Sequence, residues 1–369
     1  MVANDAKPIA FYHFPENRDI DELWDSFKAI AKDFEVELFM EEKLPETVLF
    51  PAKKNEEKTI VIIYGDDRLQ QYLQWKKDVH SYEGGDFKTK EALARRLGRL
   101  LGYSPQGINT LLRENQSYRD LHSFGVIQQI THLYYENLPA AIDFYQNTLG
   151  LYLLQQNRFQ IGTDGFIELH EFDGNHTPEQ PKSTAIALLT DQLQQWYNHA
   201  QANAVPIKYS YKPKHGGAHD GFVAIDPGGY LLEFEEFKQH PENELFMAVL
   251  SKSPKVQTNI DNLHFFGTIT WTYHKDLLKM QKFYEEELGY RLVADQGWTK
   301  IYQTTGSSFV GLVDERRGME DYTDEKAIEI EWKIQDFNGY KRYLELHSYF
   351  NLQVVGPENY IYQITSNEN

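Results

Sequence analysis

Two histidines in this chain stand on runs that read as strands. Ile130-Thr131-His132-Leu133-Tyr134 reads as a short alternating strand, so His132 shares a face with Ile130 and Tyr134. His170 closes the run Phe166-Ile167-Glu168-Leu169-His170 and shares a face with Glu168. Imidazole exchanges protons near neutrality, so each histidine reads as a catalytic base, as a metal ligand, or as a satisfied histidine at the edge of a core. His215-Gly216-Gly217-Ala218-His219-Asp220 also spaces two histidines four apart. Its glycine pair rules out the helix that a helical zinc motif needs, leaving an exposed loop. Trp271 and Tyr273 alternate on another strand and either stack on a planar ligand or fill a small barrel.

The elements that must position these groups come in two copies. Ile130-Thr131-His132-Leu133-Tyr134 aligns with Ile269-Thr270-Trp271-Thr272-Tyr273 at an offset of 139 residues. The same offset pairs Leu138 with Leu277, Phe144-Tyr145 with Phe283-Tyr284, and Leu149-Gly150 with Leu288-Gly289. Each copy reads as strand, amphipathic helix and glycine stop, so the fold is built by repetition.

Composition bounds the rest. A chain of 369 residues exceeds one ordinary core, and 41% hydrophobic with 14% aromatic residues can pack two or three domains. A net charge of -18 argues against nucleic-acid binding, since phosphates need a basic surface. The absence of cysteine excludes disulfides, thiolate catalysis and cysteine-ligated metal, and fits a cytoplasmic protein. No apolar run approaches the roughly 20 residues of a membrane span, and the first residues lack a signal pattern, so no membrane partner is expected.

Residues 1–120 read as an N-terminal α/β domain of no identifiable chemistry. Its strands are expected at 9–12 and 59–64, with helices over 21–34 (Leu23, Phe27 and Ile30 on one face), 92–101 and from Ser104-Pro105 onward. Residues 121–240 hold the first copy. Asn137 caps its helix, strands follow at 152–155, 158–161 and 166–170, and a second half runs from Thr184 through a helix over 191–202 to the strand at 230–235. A polar linker with a short helix fills 241–261, and 262–369 repeats the pattern with a shorter last hairpin. The fold class is α+β. The turn Asp226-Pro227-Gly228-Gly229 is expected to be structural.

The order strand, Asn/Asp-Leu, Phe-Tyr, Leu-Gly, then Asp-Pro-x-Gly-Tyr before an Ile/Leu-Glu strand resembles the vicinal oxygen chelate superfamily. That group includes glyoxalase I, extradiol dioxygenases and bleomycin-binding proteins. The resemblance covers about 126–237 and 263–365 and implies two tandem domains of paired βαβββ units, each enclosing a small-molecule ligand and often a divalent metal (Fe, Mn, Zn or Ni), in a monomer or homodimer. It implies ligand positions at Ile130 and Ile269, at Thr184 and Glu329, at Glu233 and Gln363, and at Glu168 and Gly311. The alkyl side chains cannot ligate. If halves pair within a domain, neither set makes a two-His, one-carboxylate triad. If they pair across domains, as in glyoxalase I, Glu168, Glu329 and Gln363 share one cavity, with His132 or His170 as base or shifted ligand.

Two functions follow from the resemblance. One is a metal-dependent lyase or dioxygenase. The other is a metal-free binding or sequestering protein, like the bleomycin-resistance members, with Tyr134, Trp271, Tyr273 and His215 against the ligand. Fold alone does not choose between them.

Overall fold

The computed structural model describes residues 2–4, 7–13, 20–50, 59–82, 87–115, 121–213 and 216–367. The chain forms two units, Met1–Arg119 and Asp120–Asn369. Among the described residues no helix is long and apolar enough to cross a membrane.

The first unit holds β1 (Ile9–His13), α1 (Ile20–Asp33), β2 (Glu37–Glu41), β3 (Ile60–Tyr64), α2 (Arg68–Ser81), α3 (Phe87–Leu100) and α4 (Pro105–Glu114). The β-branched run of β3 is buried and takes the central place between antiparallel β1 and β2. Gly102, at φ 74°, stops α3, and the Ser104 hydroxyl accepts the Gly107 N–H at 3.0 Å to open α4. The inner face of α1 differs from expectation: Ile30 is exposed and Ala31 buried. Leu23, Phe27 and Ala31 recur every four residues, so the stripe steps to Ala31 rather than back to Ile30.

The second unit begins with β4 (Val126–Tyr135), α5 (Leu138–Asp143), β5 (Arg158–Gln160) and β6 (Gly165–Glu171). Its second quarter is β7 (Thr184–Leu189), α6 (Leu193–Ala202), β8 (Ile207–Tyr209), β9 (His219–Ile225) and β10 (Leu231–Phe237). After α7 (Glu244–Leu250) and the short ladder of β11 (Val256–Gln257) with β12 (His264–Phe265), the third quarter is β13 (Gly267–His274), α8 (Leu277–Lys282), β14 (Arg291–Asp295), β15 (Thr299–Gln303) and β16 (Ser308–Asp314). The last is β17 (Ile328–Ile334), α9 (Phe337–Leu346), β18 (Gln353–Val355) and β19 (Ile361–Ser366).

The repeat extends to fine detail. Asn137 and Asp276 cap α5 and α8 by accepting the N–H groups of Ala140 (3.1 Å) and Lys279 (3.0 Å). Each helix widens into a π turn, over 144–148 and 283–287, and each ends at a glycine with positive φ, Gly150 and Gly289. Residues 152–155 do not form the expected strand. Leu153 makes a single bridge to Phe159 and a 3-10 turn follows, leaving Tyr152, Leu153 and Leu154 exposed beyond the sheet edge at β5. The segment after β10 is packed: Phe246 of α7 is buried edge-on to Phe237 and Phe309, each at 4.8 Å.

The halves pair across the copies. One sheet runs β18-β19-β17-β4-β6-β5 and the other β14-β15-β16-β13-β7-β10-β9-β8. At each centre a first-half strand meets a second-half strand of the other copy antiparallel, β4 with β17 and β13 with β7. Two tyrosines lock this exchange. The Tyr230 hydroxyl accepts the Tyr134 N–H (2.8 Å) and donates to the Ala327 carbonyl (2.6 Å), and Tyr360 does the same with Tyr273 (2.7 Å) and Ser183 (2.6 Å). Asp226 holds the turn before Tyr230 by accepting the N–H groups of Gly228 (2.9 Å) and Tyr230 (2.8 Å). One apolar core, with Phe144, Trp196, Phe234, Phe283 and Trp332, joins the helix-facing sides of both sheets.

Candidate metal centre

Strand alternation in β4, β6 and β17 puts His132, Glu168, His170, Glu329 and Glu331 on the face turned away from the helices. Register then sets them side by side. His132 is opposite both Glu168 of parallel β6 and Glu329 of antiparallel β17. His132 Nδ1 and His170 Nε2 are 2.8 Å apart, while Glu168 Oε1 lies 3.5 Å from His170 Nε2 and 4.0 Å from His132 Nδ1.

The far sides of His132 and Glu168 are held. Glu331 Oε2 meets His132 Nε2 at 3.1 Å, which leaves Nδ1 facing inward. Arg158 grips Glu168 Oε2 through two nitrogens, at 2.6 and 2.7 Å, which leaves Oε1 facing inward. Burial alone would push the Glu331 carboxyl up, but hydrogen bonds from His132 and Thr365 (2.5 Å) outweigh it and hold it at about 2. Burial, and then the neighbouring His132, lower the His170 imidazole below its ordinary value. Glu329 accepts from Gln363 Nε2 at 3.0 Å and lies 3.6 Å from His176 Nε2. The His176 ring stacks on Tyr134 at 3.6 Å between centroids.

The donors fit a divalent cation. Atoms bonded to one metal at about 2.0–2.2 Å lie roughly 3–3.4 Å from each other, and the three inner atoms, all within 4.8 Å of one another, bracket that spacing. A carboxylate on the outer nitrogen of a ligating histidine is the arrangement that fixes such a ring. His132 and Glu168 are buried, and the side chain of His170 is 33% exposed, so the cluster opens to solvent on that side.

Of the residues expected from the sequence, Glu168, Glu329, Gln363, His132, His170 and Tyr134 come together on this one sheet. Ile130 is buried opposite Glu331 and brings no donor atom. Glu233, Trp271 and Tyr273 belong to the other sheet, where the Thr184 hydroxyl donates to the Trp271 carbonyl at 2.8 Å. His215 lies outside the described residues. Glu331, Arg158 and His176 went unread. Glu331 was legible as the same-face neighbour of Glu329; Arg158 and His176 carry no local signal, since register and a loop bring them in.

In the second sheet Glu233 and Glu235 of β10 face Trp271 and Tyr273 of β13 across a cavity of about 290 Å³.

Residues 126–234 match the Glyoxalase/Bleomycin resistance protein/Dioxygenase superfamily. Among solved structures the chain is similar to glyoxalase I from Zea mays, at 14% identity and TM-score 0.45, covering 66% of this chain and 92% of that one. It is also similar to a glyoxalase/bleomycin resistance protein/dioxygenase from Alicyclobacillus acidocaldarius, at 21% identity and TM-score 0.24, covering 29% of this chain and 89% of that one. No curated protein matches the chain.

Proposed function

We propose that this chain, which belongs to the glyoxalase/bleomycin resistance protein/dioxygenase superfamily, is a divalent-metal-dependent enzyme acting on a small molecule with two adjacent oxygens. The observation that carries this reading is the convergence of His132 Nδ1, His170 Nε2 and Glu168 Oε1, each with its other side held or open to solvent. Two histidines and one carboxylate are the donor set of ferrous oxygenases, which favours a dioxygenase over a lyase and iron over manganese, zinc or nickel. When bound, such a metal supplies Lewis acidity to the substrate oxygens. His132, His170 and Glu168 hold it, and Glu331 and Arg158 keep two of them in aim. Glu329, kept partly buried beside His176 and Gln363, accepts a substrate proton. Tyr134 and His176, stacked together, wall the site. Each sheet is completed by strands of the same chain, which supports a monomer as the working unit.

The test is metal content after purification without chelator, for wild type and for His132→Ala and Glu168→Gln. One metal per chain, lost in both variants, is expected. A chain with no saturable affinity for any divalent metal would overturn the proposal. The second reading, a metal-free binding protein, is favoured by the aromatic cavity of the other sheet, and a metal-free chain that still binds a planar ligand would select it.

A further inference from the structure

The eight-stranded sheet carries a cavity that the metal centre does not use. Its floor is built from buried side chains: Trp271 and Tyr273 from β13, Phe237 and Glu235 from β10, with Glu233 one strand alternation away from Glu235 on the same face. Trp298 forms an aromatic wall, capped by the Arg317 guanidinium 4.8 Å above its ring. Trp271 can lie flat here because its neighbour on β16 is Gly311. A Cβ at that position would come within 2.0 Å of the indole ring.

Two polar atoms of this floor are orphaned. Glu235 Oε2 and Trp271 Nε1 are buried and have no hydrogen-bond partner among the described residues. Each such atom costs about 1–3 kcal/mol while it stays unpaired, and the nearest relief for either is the other, since the Trp271 N–H lowers the Glu235 carboxyl without completing a hydrogen bond to it. The basic groups nearby are engaged or exposed. Lys238 is paired with Asp220 at 2.5 Å, and Lys208 reaches Glu320 at 3.3 Å and the Met319 carbonyl at 3.1 Å. Lys212 and Arg317 are exposed at the mouth, and His219 lines the side. The buried part of the cavity presents carboxyl groups and aromatic faces, with Val223, Val313 and Thr299 beside them.

We propose that this cavity is a second binding site, distinct from the metal centre, for a small planar organic cation such as an aromatic amidinium or ammonium. The ring lies against Trp271 and Tyr273, where the aromatic faces attract positive charge. The N–H groups donate to Glu235 and Glu233. Ionisation of Glu235 strengthens the pull on the Trp271 N–H that already acts on this carboxyl, so one ligand completes the pairing of both atoms. A cavity of about 290 Å³ is sized for a single ring with its charged group. Burial raises both carboxyls, Glu233 to about 8 and Glu235 well above its ordinary value through burial and the nearby Glu233. Near neutrality the empty site therefore holds protons that a bound cation must expel. Lys208, Tyr209, Lys212, Arg317, His219, Asp220 and Tyr273 are the other titratable groups around the pair.

The probe is benzamidine, with the neutral isostere benzamide as control, by titration calorimetry at pH 8 in phosphate and in Tris. Benzamidine is expected to bind saturably and at least tenfold more tightly than benzamide. Its apparent enthalpy should differ between the buffers in the sense of proton release. Glu235→Gln and Trp271→Phe should each weaken it tenfold or more while keeping a cooperative melting transition and the wild-type metal content. Equal binding of benzamide, unchanged affinity in both variants, or no saturation by benzamidine would overturn the proposal. Because His132→Ala should leave benzamidine binding intact, failure of the metal reading and failure of this one are separately visible.

Discussion

Thr131 and Thr270 occupy the same place in the two copies of the repeat, and their hydroxyls hydrogen bond to each other at 2.7 Å. The pseudo-symmetry of the second unit passes through this contact. One residue on in each copy, His132 corresponds to Trp271, and both lie beside the strand position that holds Glu168 in one sheet and Gly311 in the other. A histidine against a glutamate makes a polar centre; a tryptophan against a glycine makes an aromatic floor. Duplicated backbone thus carries two unlike cavities.

Thr131→Val removes one of two buried hydroxyls and leaves Thr270 with only the 3.3 Å hydrogen bond from Gln129 Nε2. It should cost about 1–2 kcal/mol in urea unfolding, and Thr270→Val a similar amount. The double variant should lose less than the sum of the two, because no orphan is left.

Glu331→Gln keeps the shape beside His132 but weakens the acceptor that orients its ring. Metal affinity measured by competition with a chromophoric chelator is expected to fall about 10–100-fold, with the fold unchanged by circular dichroism. Wild-type affinity in this variant would mean that His132 is not held through Glu331.

Glu233 gives stability a defined pH slope. Its folded carboxyl is raised by burial to about 8 from an ordinary 4.5. Between those values the folded chain keeps a proton that the unfolded chain has lost, so this group's contribution falls as pH rises through the window. Glu233→Gln removes the slope. Its advantage over wild type in denaturant melts should be near zero at pH 4.5 and reach at least about 1 kcal/mol at pH 8.

Gly311→Ala places a methyl within 2.0 Å of the Trp271 ring. Displacing that indole should cost about 1–3 kcal/mol and shift its fluorescence. Metal content should be untouched, since the centre lies on the other sheet.

Much of the architecture was legible without coordinates. Asn137 and Asp276, the Phe-Tyr pairs, and Gly150 and Gly289 are local signals, because capping, helix faces and positive φ are decided within a few residues. The alternation of β17 was equally local and could have delivered Glu331 with Glu329. The strand expected over 152–155 failed because its pairing with β5 stops at the single Leu153–Phe159 bridge, which only the sheet edge reveals.

The sequence by itself determined the repeat, the α+β class, and the absence of a ligand atom at Ile130 and Ile269, since side-chain chemistry needs no fold to be read. Tertiary structure decided the pairing of β4 with β17 and β7 with β13, because register between strands far apart in the chain is set by core packing and by the Tyr230 and Tyr360 bridges. That pairing alone brought Glu331 to His132, Arg158 to Glu168 was fixed by the β5–β6 hairpin, and Glu233 was carried to a different cavity.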